Sequence, residues 1–202
     1  MGKKKSYRKK TNYYQLKKMV KNELQKQVEK KHHHVPLAST VGPPGGTPNT
    51  PIFVSVTNVE NGTASNQRVG NSIKPSGVYI NYMLQASAAE SETQVRIMLL
   101  SSRRGAITVS EAPASFLGPA DFDRYWVFYE RYHIMNSTNT TQRGVIKLGR
   151  KALARLGLIQ FDSTLTANAI RNNIYMFAQS NVGTNANAPN IDVDINFYYT
   201  DA

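Results

Sequence analysis

Ile191-Asp192-Val193-Asp194-Ile195-Asn196-Phe197-Tyr198-Tyr199 is the stretch that decides the fold class of this chain. Through Phe197 its apolar and polar residues alternate with a period of two. Successive side chains of a strand point to opposite faces, so this pattern marks a strand with one face in a core and the other in water. Six more stretches, residues 52–56, 78–84, 94–100, 125–134, 144–148 and 174–178, are rich in β-branched and aromatic residues. Gly, Asn, Ser or Pro bounds them. Seven or eight strands in about 150 residues, with no amphipathic helices between them, predict an antiparallel sandwich or barrel. Only Lys-Ala-Leu-Ala-Arg-Leu-Gly at 151–157 reads as a short helical turn. No fixed-period repeat is visible, which argues against a propeller or a solenoid.

Working outward from this β region, the charge is uneven. The 202-residue chain carries +12, and residues 1–34 hold twelve Lys/Arg against two Glu, a net of +10. The other 168 residues hold thirteen Lys/Arg against eleven Asp/Glu, a net of +2. A basic tail on a nearly neutral body is the footprint of polyanion binding by the tail. A flexible polycation suits that task, because attachment to phosphates works by counterion release and needs no fixed geometry. Lys3, Lys4, Lys5, Arg8, Lys9 and Lys10 form the leading run, with Tyr7, Tyr13 and Tyr14 placed to stack on unpaired bases.

From Asn12 the arm changes character. Tyr13, Leu16, Val20, Leu24 and Val28 share one helical stripe, with Lys17, Lys18, Lys21, Lys26 and Lys30 around it. Asn12 with Gln15 resembles a capping box, and a helix over about 12–31 is predicted. So narrow a stripe is a helix–helix seam, too thin to cover a domain core. Residues 35–51, with five prolines and three glycines, are predicted as a linker, which leaves residues 52–202 as the β domain.

Other chemistry is thinly represented. No run of eighteen apolar residues offers a membrane span, and no apolar segment follows the Lys run as a secretory signal would require. Cys is absent, excluding disulfides and thiolate chemistry. Met1-Gly2-Lys3-Lys4-Lys5-Ser6 formally fits an N-myristoylation pattern, and three Asn-x-Ser/Thr sites start at Asn61, Asn136 and Asn139. His32-His33-His34 cannot converge on one metal, because alternate side chains of a strand diverge, and reads as a solvated hinge. Asp121 and Asp123 read as caps at the start of a strand. No nucleophile elbow, phosphate loop, zinc-protease or dinucleotide fingerprint occurs, so no enzyme and no required cofactor is expected.

Four short motifs, in order along the chain, carry a resemblance. They are Lys17-Lys18-Met19-Val20 with Leu24; Asn66-Gln67-Arg68-Val69-Gly70 followed by Ile73-Lys74; Arg124-Tyr125-Trp126-Val127-Phe128-Tyr129-Glu130; and the C-terminal Tyr199-Thr200-Asp201-Ala202. In these the chain resembles single jelly-roll coat proteins of the satellite tobacco necrosis virus type. It is also similar to coat proteins of some small circular single-stranded DNA viruses. The resemblance implies an eight-stranded antiparallel jelly-roll sandwich with a basic N-terminal arm and short helix, built into a T = 1 shell of sixty copies. It further implies that helices from three subunits bundle and touch the genome, so that Lys17, Lys18, Lys21 and Lys74 join the leading cations as nucleic-acid contacts. The partners implied are the chain itself and single-stranded RNA in preference to single-stranded DNA, in a virion and without a membrane. Calcium between subunits is implied too, with Asp201 as a ligand, although Thr63, Ala64 and Gln25 stand where the family carries acids. The rival reading from composition alone is a cellular nucleic-acid-binding β-sandwich with a disordered basic tail.

Overall fold

Residues 191–199 lie inside the last strand of a computed structural model that describes residues 13–27, 29–42, 51–87, 92–103, 116–162, 169–182 and 187–202. In chain order the elements are α1 (Tyr13–Gln27), β1 (Lys31–Thr40), β2 (Ile52–Ser55), β3 (Ser72–Gln85), β4 (Glu92–Ser102), β5 (Tyr125–Asn136) and β6 (Thr141–Gly149). They continue with α2 (Arg150–Leu153), a 3-10 turn (Ala154–Leu156), β7 (Ile159–Phe161), β8 (Ala169–Arg171), β9 (Ile174–Ser180) and β10 (Asn190–Asp201). The first sheet runs β1-β10-β3-β6, with β7 and β8 extending it from the start of β3; the second runs β2-β9-β4-β5. All strand pairs are antiparallel. If the eight long strands are counted in chain order, the sheets read 1-8-3-6 and 2-7-4-5. That alternation of successive strands between two sheets is the jelly roll.

The alternation in β10 does what its pattern requires. Ile191, Val193, Ile195, Phe197 and Tyr199 are buried, against Val35 and Leu37 of β1 and Val78, Ile80, Tyr82 and Leu84 of β3. Val95, Ile97 and Leu99 of β4 with Ile174, Met176 and Ala178 of β9 close the core from the second sheet. Each such side chain stabilises the fold by about 1.5–3 kcal/mol, and a one-residue slip would turn the whole set outward. The outer face of the second sheet is also covered. Met98, Leu100, Tyr175 and Phe177 pack with Ala120 and Tyr125, and Arg96 donates to the carbonyls of Phe116 (3.1 Å) and Gly118 (2.6 Å) while pairing with Glu130 at 2.6 Å.

Three expectations change. The linker over 35–51 does not begin at Val35, because β1 runs to Thr40, pairing with β10 from Lys31↔Tyr199 to Thr40↔Asn190. The sandwich therefore starts near Lys31, ahead of residue 52. Pro36 is tolerated because β1 is an edge strand, with a partner on one side only. The His triplet consequently lies within a strand. His32 and His34 point one way, toward Asn196 and Asp194, and His33 the other, so the divergence expected of them holds while the hinge does not. The helix ends at Gln27, short of residue 31.

One polar cluster bridges the sheets. The Tyr82 hydroxyl lies 2.9 Å from the Tyr129 hydroxyl and 2.8 Å from Nε2 of the buried His133. Gly144, opposite Tyr82 in the register, leaves room for that ring, since a Cβ there would come within 2.1 Å of it. Burial, helped by Arg131 and opposed by a hydrogen bond with Gln142, lowers the His133 pKa. A depressed folded-state pKa gives stability that is present above the unfolded value near 6.5 and is lost as pH falls through the folded value. Burial lowers the His33 pKa as well, so the comparison needs a variant. The difference between urea midpoints at about pH 7.5 and pH 5.5 should be smaller in His133→Gln than in the parent. Equal differences would remove His133 from the pH dependence.

Candidate nucleic-acid interface

The cations that composition singles out fall into three groups. Lys3, Lys4, Lys5, Arg8, Lys9, Lys10 and the Asn12 cap lie outside the described residues. Lys17, Lys18 and Lys21 lie in α1, where Lys17 and Lys18 are exposed. Lys74 is exposed on β3, close to its start. On α1 the apolar stripe is itself in water: Tyr13 is 71%, Leu16 52% and Val20 52% exposed. Nothing in the sandwich covers that seam among the described residues, which suits a helix that needs partners from other copies.

The body brings two distant motifs together. Asp201, at the end of β10, accepts a hydrogen bond from the Val69 amide at 3.0 Å and pairs with the Lys31 ammonium at 2.8 Å. Lys31 is 4% exposed and also donates to the Gln67 carbonyl at 2.9 Å. Beside them the buried Arg68 donates to the carbonyls of Val59 (3.1 Å) and Gly70, and its guanidinium lies 3.9 Å from the centroid of the Phe161 ring. Gly70 has φ +85°, the left-handed backbone that glycine adopts at little cost. Gln67 folds its side chain back to accept from the Ala64 amide at 3.1 Å. The Asn-Gln-Arg-x-Gly and Thr-Asp-Ala motifs are thus two halves of one latch, which fastens the start of β1 to the end of β10.

That latch bears on calcium. Ca2+ takes six to eight oxygen ligands, with carboxylates prominent among them. Asp201 already faces an ammonium, with the Arg68 guanidinium adjacent, and the described residues hold no group of three His, Asp or Glu able to bind a metal. These residues do not fit the ion, and Asp201 serves as an ion-pair partner within the subunit.

Two concavities among the described residues offer places for a ligand. The larger, about 640 Å3, lies on the outward face of the first sheet among Pro36, Met83, Val145, Arg143, Asp192 and Asp194. With two carboxylates to one guanidinium it repels a polyanion. The smaller, about 210 Å3, is lined by Lys30, Lys74, Arg150, Ser76, Thr200, Pro75 and Asp201. Of its three cations only Lys74 is singled out by sequence reading as a ligand of the body. Arg150 comes beside it because β3 pairs with β6 to Gly77↔Gly149, and no local pattern announces that pairing. Elsewhere, Asp121 accepts from the amides of Asp123 (2.9 Å) and Arg124 (3.3 Å) and so caps the turn into β5. Arg103 rests 5.4 Å from the Trp126 ring centroid.

No family profile and no curated protein matches the chain. Among solved structures it is similar to that of Desmodium yellow mottle tymovirus, at 8% identity and a TM-score of 0.39, over 86% of this chain and 87% of the other. It is similar to the decameric BFDV capsid protein at 9% identity and a TM-score of 0.41, over 86% and 98%. It is also similar to a chain of Broad bean stain virus at 11% identity and 0.41, over 82% of this chain but only 43% of that one. The jelly-roll assignment rests on the sheet order and register above.

Removing Asp201 leaves Lys31 buried without a counter-charge. Asp201→Ala should destabilise the chain by about 1–3 kcal/mol in urea, less than the ~3–5 of a fully buried pair because Asp201 is 29% exposed. Lys31→Met combined with Asp201→Ala should recover part of that loss, and a chelator should leave the parent's thermal midpoint unchanged. A midpoint that falls in chelator would restore calcium at this site.

Proposed function

We propose that this chain is a viral coat protein that assembles into a small icosahedral shell, of sixty copies with T = 1, and packages a short single-stranded genome through its basic N-terminal arm. The observation that carries this reading is the division of the molecule. A net +9 sits on residues 1–30, ahead of a jelly roll that begins at Lys31 and carries +3, and within that arm α1 exposes Lys17, Lys18 and an apolar seam. A jelly roll supplies the rigid plate from which a closed shell can be tiled, and repeated identical contacts close under point symmetry. The exposed seam of α1 supplies a contact between copies, three helices to a bundle, while the exposed Lys17 and Lys18 stay available to phosphate.

The charge has the right scale. Sixty copies of residues 1–34, at +10 each, give about 600 positive charges, which match a strand of order a thousand nucleotides once body cations and mobile counterions share the neutralisation. RNA is the cargo we favour over DNA, in a virion, with no reaction catalysed and no cofactor required. Nothing in a phosphate contact distinguishes the two sugars, so the choice between them rests on the resemblance alone.

Purified protein should sediment as particles close to 20 nm across, roughly the size a T = 1 shell of sixty small jelly rolls implies. The particles should hold nucleic acid that resists added nuclease and, once released, is digested by RNase and not by DNase. Replacing Lys3, Lys4, Lys5, Arg8, Lys9 and Lys10 with Ser should leave a folded β domain and remove most of the protected strand. A monomer at every salt concentration would end the shell reading. Undiminished protection in the Ser variant would end the role of the arm.

A further inference from the structure

Four strand ends of the first sheet meet at one place. Lys30 immediately precedes β1, Thr200 and Asp201 close β10, Lys74 to Ser76 open β3, and Arg150 follows β6. The register between β10 and β3 steps from Tyr198↔Gly77 to Tyr199↔Pro75, passing over Ser76. An extra residue of this kind bends its strand and re-aims the side chains beside it. The result is the cavity of about 210 Å3 lined by Lys30, Lys74 and Arg150, with the hydroxyls of Ser76 and Thr200 in its wall.

The charge inside it is less balanced than a residue count suggests. Asp201 is the one carboxylate in the lining, and its oxygens are committed to the Lys31 ammonium and the Val69 amide. Lys30, Lys74 and Arg150 are exposed, and none of them makes an ion pair among the described residues. Three cations and two hydroxyls thus converge without an anion of their own, at the edge of a body whose net charge from Lys31 onward is only +3.

We propose that this cavity is a phosphate-binding seat, and that its occupant is a backbone phosphate of the strand held by the arm. The inference deepens the packaging reading and rests on it for the identity of the strand. Proximity along the chain argues for that source: α1 ends at Gln27, three residues before Lys30, so the cavity opens where the basic arm joins the sheet. Arg150 presents a planar fork and Lys74 a compact ammonium, a pairing suited to phosphate oxygens. The seat converts part of a diffuse attraction into a fixed point of contact between the genome and the sheet. Lys30 and Arg150 thereby join Lys74 as ligands.

The test uses the full chain and the double variant Lys74→Ala/Arg150→Ala, whose positions are exposed, so that its thermal midpoint in chloride should equal the parent's. A labelled oligo(dT) of about twenty nucleotides is titrated at several salt concentrations. A lost phosphate contact on a single strand should make the slope of log K against log salt shallower by about 0.7, and Lys74→Arg/Arg150→Lys should restore it. In parallel, inorganic phosphate at matched ionic strength should raise the thermal midpoint of the parent and leave that of the double variant unmoved. An unchanged slope in the double variant, beside a reduced one in the Ser-substituted arm, overturns the seat and leaves the packaging reading standing. A midpoint raised by phosphate in a chain that binds no oligonucleotide overturns packaging and identifies the seat as a site for free phosphate. An unchanged slope in both the double variant and the Ser-substituted arm, with no midpoint shift in phosphate, removes both proposals.

Discussion

The first sheet depends on the last of the described strands. β10 lies between β1 and β3 and pairs with each along its length, so neither the edge strand nor β3 completes its hydrogen bonding until residues 190–201 are in place. Its five inward side chains fill the middle of the core, and its final acid ties down the loop before β3 and the first residue of β1. The two ends of the sandwich are thereby fastened to each other. The arm that leaves from β1 has a fixed point of departure even though Tyr13, Leu16 and Val20 of α1 stand exposed.

The two outer faces of the sandwich are treated differently. Residues 116–125 cover part of the second sheet, held by Arg96 and filled by Ala120 and Tyr125, so that face is already half a core. The first sheet keeps its outward face open, with His32 stacked on Tyr198 and His34 bonded to Asp194, whose pKa that contact lowers. Such a plate, closed on one side and polar on the other, presents unlike surfaces to its two sides. A subunit that separates the inside of a container from the outside requires that difference.

Much of this was legible in the sequence, for a physical reason in each case. The period of two in residues 191–199 is a local consequence of a strand half in water, so composition and spacing reveal it directly. The division of charge is likewise additive and needs no coordinates. β1 escaped because Pro36 and three histidines resemble a hinge, and only the pairing of Val35 and Leu37 with β10 shows that the alternation continues there. The Asn-Gln-Arg-x-Gly motif could be noticed but not interpreted, since its partner Asp201 lies 132 residues from Val69. The ion pair at Asp201 is hidden for the same cause: its ammonium comes from Lys31, and nothing close in sequence indicates it.

Several of the body's cations are engaged within the fold, and this bears on where a strand can touch it. Lys31 answers Asp201, Arg96 answers Glu130, and Arg68 lies over Phe161. Arg155 covers Phe128, Arg103 lies near Trp126 and Lys147 near Tyr79. A cation held over a ring keeps its charge but loses reach, because the aromatic face competes with phosphate for it. Lys30, Lys74 and Arg150 are set apart by converging on one cavity with no such partner among the described residues. A polyanion drawn in by the arm would therefore meet three such cations together at the place where the arm departs. Attraction over the arm is diffuse and independent of sequence, whereas placement against the sheet is local. The packaging proposed above calls for both: attraction that accepts a strand of any sequence and a local contact that holds it.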